Sequence, residues 1–181
     1  MTSYTFIKVD HRPGGNAEAV RTAVSRVFAS GVEGIDRVRE AAQEIALMID
    51  GLDDYQEQAA EAVCPGCGKV CCINRHAHHE HEDIIYLYAL GYDLPEYQQG
   101  IEDTAACQFL SAEGCTINRT LRPHRCNAYF CSPFLEAMQQ RPAPEYRRLM
   151  EILQLITLKR EEMLLKFYIL QQGLQPAGPE E

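Results

Sequence analysis

The position of the cysteines constrains this chain more than any other feature. All eight lie between Cys64 and Cys131 of a sequence of 181 residues, and none lies on either side. A chain of this length buries enough apolar surface to fold without covalent staples, and a reducing cytosol would not keep thiols paired. Their confinement to one stretch calls for a chemical explanation, and metal is the first candidate. Elsewhere the composition is that of an ordinary globular protein: 46% hydrophobic and 24% charged residues exclude global disorder.

The formal net charge of −9 argues against wrapping nucleic acid or adhering to an anionic membrane, both of which need a cationic surface. No apolar run approaches the length needed to span a bilayer, and the first ten residues lack the apolar core of a signal peptide. These features predict a cytoplasmic protein.

Three regions separate by composition. Residues 1–63 begin with a short extended piece, Tyr4 to Val9, and a turn-forming Arg12-Pro-Gly-Gly-Asn16. Val20, Val24, Val27 and Phe28 then recur at helical spacing, as do Ile35, Val38, Ala42, Ile45, Met48 and Ile49. Asp53-Asp54 caps a further short helix leading into the first cysteines. Residues 64–131 carry one helix signal, His81 to Leu90, stopped by Gly91. The rest of that region reads as loops, as expected of a core organised by metal. Residues 132–181 contain a long amphipathic helix from Pro144 to Gln172, followed by a tail that frays from Gln175 onward. Its seam is Leu149, Leu153, Ile156, Met163, Phe167 and Leu170, interrupted by Arg160. Such a seam either packs over the N-terminal helices or pairs with a second copy to give a homodimer. The predicted fold is therefore mainly α, one compact domain with helical flanks around an irregular, metal-organised, cysteine-rich centre.

The first cysteine group is Cys64-Pro-Gly-Cys67-Gly-Lys-Val-Cys71-Cys72. Two cysteines flanking two residues, with glycine next, form a metal knuckle: the turn aims both sulfurs at one point and the glycine lets the following amides approach them. A thioredoxin-like redox pair would need a strand before the motif and a helix after it. Here a helix precedes it, and two more cysteines follow. The second group is Cys107, Cys115, Cys126 and Cys131. Four thiolates from each group would make two tetrahedral sites, or one site with cysteines to spare. Such ligands suit zinc, iron or an iron–sulfur cluster, and softness alone does not choose among them. The spacing does not match the bacterial ferredoxin run.

The stretch 64–131 resembles the bacterial zinc- or iron-chelating cysteine-cluster family (CxxCxxCC, or YkgJ-like). The likeness rests most on its second half: Cys107-Gln-Phe-Leu110, Cys115-Thr-Ile117, and Arg122-Pro123-His-Arg-Cys126 followed by Cys131. In the first half, three residues separate Cys67 from Cys71 where the family pattern has two, so either Cys71 or Cys72 can be the ligand. The resemblance implies metal binding without a settled reaction. Some relatives look like iron–sulfur proteins, and a flagellin lysine methylase carries a related region.

Pro123 holds Leu121–Arg122 extended, so that Arg122 can reach toward the cysteines and offset thiolate charge; otherwise it is a solvated arginine on a surface turn. Between the cysteine groups runs His76-Ala-His78-His79-Glu-His81-Glu-Asp83. If this run is helical, His78 and Glu82 share a face, as do His79 and Asp83. The histidines are then either metal ligands, forming a second and more catalytic site, or the solvated face of a helix whose N-terminal end favours Glu80, Glu82 and Asp83. Metallohydrolase and di-iron signatures, the phosphate loop, the dinucleotide fingerprint and the serine elbow are all missing. The expected function is metal binding through the cysteines. The alternatives are an iron or iron–sulfur enzyme of redox or group-transfer type, and a zinc-knuckle interaction module using Arg119, Arg122 and Arg125.

Overall fold

The computed structural model describes residues 7–64, 67 and 71–174. Helix α1 (Ala17–Ala29) buries Val20, Val24, Val27 and Phe28, and α2 (Ile35–Asp50) buries Ile35, Val38, Ala41, Ala42, Ile45 and Ile49. In both, apolar residues at helical spacing form one stripe that faces inward. The Arg12–Asn16 turn ahead of α1 closes through a Gly15 N–H donated to the Arg12 carbonyl at 2.8 Å. Of the extended piece expected at 4–9, residues 4–6 lie outside those described. Ile7 and Val9 pack on the core without joining a strand.

The centre of the molecule is α4 (His81–Leu90). Ile84, Ile85, Tyr86, Leu87 and Ala89 are all buried, so this helix is apolar almost all the way round, the pattern of a core element. It packs against α1, α2 and the long α7 (Ala143–Gly173). Its ends are closed by local chemistry. Glu80 and Asp83 form a capping box at the start. Gly91, in the left-handed region at φ 83°, ends it by donating to Tyr88 and Leu87, while Tyr92 N–H also reaches the Leu87 carbonyl.

The α7 seam turns inward. Leu149, Ile156, Met163 and Phe167 are buried, mainly along α2, and Leu153 and Leu170 are partly covered. The seam is thus used within the chain. The outward face keeps a row of exposed residues, Leu155, Leu158, Leu165 and Ile169. Among the described residues no helix is long and apolar enough to cross a membrane. The tail from 175 lies outside the described residues.

Three further helices frame the cysteine region: α3 (Asp53–Val63), α5 (His124–Ala128) and α6 (Ser132–Gln139). Helices α3 and α6 lie against each other in opposite directions. Arg141, just beyond α6, stacks over Tyr55 near the start of α3 and hydrogen-bonds Gln58. The only sheet among the described residues is the hairpin β1 (Leu110–Ser111) with β2 (Gly114–Cys115), in the register Leu110 to Cys115.

Hydrogen bonds hold the loops of the middle region. Asn74 N–H donates to Ala105 and Arg75 N–H to Asp103, while the Asn74 side chain reaches Ile101 and Gln108. Buried Arg119 binds Gln56 and Glu57, and Asn127 donates to the Arg119 carbonyl. These bonds tie the loops of the middle region to one another and to α3.

Candidate functional site

The fold gathers the cysteines from both sequence groups, and it interleaves them. Cys64 ends α3 and Cys131 begins α6. Because those helices run antiparallel, the two residues fall at the same end of the pair. Cys72 offers its carbonyl to the Cys107 N–H at 2.8 Å, beside an isolated bridge between Ile73 and Ala106. Cys107 leads into the hairpin that carries Cys115, and Cys126 sits in α5 with its Sγ 3.9 Å from the His76 carbonyl.

The thiols' electrostatics divide the same way. Burial raises Cys64, and the neighbouring Cys71, Cys131 and Cys67 raise it further. Burial pushes Cys72 up to about 11, with Cys71, Cys107, Cys64 and Cys115 adding to it. Cys126 is pushed up to about 12 by burial and then by Cys115, Cys107 and Cys72, while Arg122 draws it down. Cys107 is raised by burial and by Cys115. Cys72 and Cys126 both show solvent-exposed surface, so protein crowds their sulfurs without sealing them off. Cys131 thus lies near Cys64, and Cys72 lies between the groups, with Cys71 and Cys64 on one side and Cys107 and Cys115 on the other. The two sequence groups are mixed in space, where the sequence suggests four and four.

No disulfide joins any of the eight. Their donor chemistry suits a soft metal. Their side chains do not converge on a point: among the described residues no three histidines, cysteines or carboxylates are gathered closely enough to enclose an ion. The approach of the amides after Cys67, expected from Gly68, falls outside the described residues.

The histidine run does not form one continuous helix. Helix α4 begins at His81, after a short turn at Asn74–His76, so the paired helical faces at His78–Glu82 and His79–Asp83 do not form. His79 and His81 are each only 1% exposed. His79 donates from Nε2 to the Leu121 carbonyl at 2.9 Å, which leaves Nδ1 to accept from the Tyr97 hydroxyl at 2.5 Å. His81 Nδ1 lies 3.3 Å from the Tyr168 hydroxyl. These two are structural hydrogen-bonding residues in the core, and burial holds both below the ordinary histidine value.

His76 and His78 line a cleft of about 450 Å³, together with Glu80, Glu82, Asp83, His124, Arg125, Tyr129 and Arg160. Arg125 pairs with Glu80 at 3.0 Å, and buried Arg160 pairs with Asp83 at 2.7 Å. Asp83 also accepts from the His124 and Glu80 amides, so both of its carboxylate oxygens are hydrogen-bonded. His76 donates from Nδ1 to the Cys71 carbonyl, which links the cleft to the cysteine end. Burial raises Glu82 and lowers His124. Arg122 is extended as predicted and largely covered: it donates to the Ile117 carbonyl at 2.8 Å and lies near Glu57.

Sequence reasoning missed His11, Tyr97 and His124. His11 stacks on His78 with centroids 5.1 Å apart and donates to the His79 carbonyl. Nothing in the local pattern around His11 marks it. The signal for Arg160 was present, since a charge inside an apolar seam needs a buried partner. Compared with known proteins, the chain matches no family model, no curated protein and no solved structure.

Proposed function

We propose that the protein binds metal through its cysteines, with zinc or iron as the ion and an iron–sulfur cluster as one form of the iron. The observation that carries this reading is the mixing in space of thiols from two sequence groups, none of the eight in a disulfide. Burial and then neighbouring thiols raise Cys64, Cys72, Cys107 and Cys126, a cost that a bound cation relieves. The proposed ligand sets are Cys64, Cys67, Cys71 and Cys131 for one ion, and Cys72, Cys107, Cys115 and Cys126 for another. Binding requires the sulfurs to draw closer together than they lie here. The motif resemblance in residues 64–131 supports the same reading.

Counting reactive thiols tests it. Protein purified without oxygen or chelator is expected to show most of its eight thiols protected from a thiol reagent, and chelator is expected to release them. Equal reactivity with and without chelator would overturn the reading.

The enzymatic alternative draws support from the cleft, which brings His76, His78 and His124 beside Glu82 next to the cysteine end. A brown, iron-containing protein would favour it and a colourless zinc protein would count against it. The interaction-module reading loses its basic patch, because Arg119, Arg122 and Arg125 are all engaged within the chain. Pairing with a second copy through α7 would have to use the outward row at Leu155, Leu158, Leu165 and Ile169.

A further inference from the structure

Two of the thiols stand opposite one another across the isolated bridge of the middle region. Ile73 and Ala106 pair antiparallel there. Two hydrogen bonds flank them. The Cys107 N–H donates to the Cys72 carbonyl at 2.8 Å, and the Asn74 N–H donates to the Ala105 carbonyl at 2.9 Å. Cys72 and Cys107 therefore occupy directly facing positions. At such a hydrogen-bonded position the Cα atoms lie about 5.5 Å apart and both side chains leave on the same face. A disulfide needs a Cα separation of roughly 4.4–6.8 Å, so the backbone already meets its main requirement.

The register is fixed from beyond the bridge. Arg75 N–H donates to the Asp103 carbonyl at 3.0 Å. Buried Asn74 donates from Nδ2 to the Ile101 carbonyl at 3.3 Å and accepts at Oδ1 from Gln108 Nε2 at 3.0 Å. Two groups held face to face in this way react with little further loss of freedom. Cys72 is exposed and Cys107 partly so, which gives a small oxidant access to the pair. Cys115, in the β1–β2 hairpin, faces Leu110 instead of a thiol.

We propose that Cys72 and Cys107 form a reversible disulfide on oxidation by hydrogen peroxide. One thiolate attacks the O–O bond, which leaves a sulfenic acid on its sulfur and releases hydroxide. The other thiolate attacks that sulfur, forms the S–S bond and expels the second hydroxide. The two protons lost by the thiols complete two waters, so the pair gives up two electrons and the peroxide takes them. An exposed bond of this kind is the labile, regulatory sort and not a permanent staple. The pairing does not require metal. Both sulfurs belong to the second proposed ligand set, so the bond and a metal there exclude one another, a consequence that rests on the metal-binding reading.

Peptide mapping of the full chain tests the pair. The chain is freed of metal with chelator, given hydrogen peroxide in equimolar amount, blocked with an alkylating reagent, and digested without reduction at arginine, lysine and glutamate. The peptide bearing Cys107 then ends at Glu113 and is separate from Cys115. The expected principal product links it to the peptide bearing Cys71 and Cys72, and dithiothreitol should reverse the link. Cys71→Ser should keep the link and Cys72→Ser should abolish it, which decides between the adjacent thiols. Because the chain is stripped first, a protein that never held metal gives the same answer. A principal link between any other two cysteines, recovery of both thiols in alkylated form, or a link that survives Cys72→Ser would overturn the proposal.

Discussion

Asp83 and Arg160 lie 77 positions apart in the chain and form a buried ion pair at 2.7 Å. With both charges out of water, removing one partner strands the other. Asp83→Ala is therefore expected to cost about 3–5 kcal/mol in denaturant unfolding, and a loss below about 1 kcal/mol would show that the pair is not truly desolvated. The histidines give a second expectation. Burial holds His11, His78, His79 and His81 below the ordinary value of 6.5. An unfolded chain then binds protons that the folded chain refuses, so stability is intact above about pH 6.5 and falls as the pH drops below it. Unfolding free energies between pH 7 and 5.5 should decline with a slope of more than one proton, and a flat profile would contradict this. At this scale the sequence was only half legible. Arg160 stood out as an interruption of the seam, but its partner could not be found from spacing, because the contact is made by tertiary packing alone. His79 and His81 looked like surface or ligand residues because their hydrogen-bond partners, Tyr97 and Tyr168, are remote in sequence.

The helices were legible wherever periodicity ran long enough. α1, α2, α4 and α7 each bury the stripe that their spacing predicts, and the capping box and Gly91 close α4 where the sequence places its ends. α5 and α6 are short and lie among prolines and cysteines, so no window was long enough to reveal them. Ser132-Pro133 at the start of α6 was the one available signal. Missing α6 hid the position of Cys131, because its proximity to Cys64 comes from the antiparallel packing of α6 on α3. The interleaved ligand sets have a direct consequence. Cys64→Ser and Cys131→Ser should each remove the same equivalent of metal, and combining them should remove no more. Combining Cys131→Ser with Cys126→Ser should remove both equivalents. If that second pair removes only one, the four-and-four division by sequence is the correct one.

Taken whole, the molecule is a helical framework around α4 with two neighbouring pockets that share His124 and Ala128 in their walls. The framework buries α1, α2, α4 and α7 against one another without recourse to the cysteines, while the loops of the middle region rely on polar contacts. Structural zinc contributes roughly 10–16 kcal/mol in small peptides, more than those loops gain from their hydrogen bonds. Metal removal should therefore loosen residues 71–131 outside α4 and leave the helical content of the flanks. The claim that matters most is that metal is bound at all. Elemental analysis of protein purified anaerobically, read with its visible spectrum, tests it most directly. One to two equivalents of zinc or iron per chain is the expected result, and less than one equivalent of every transition metal would contradict the account.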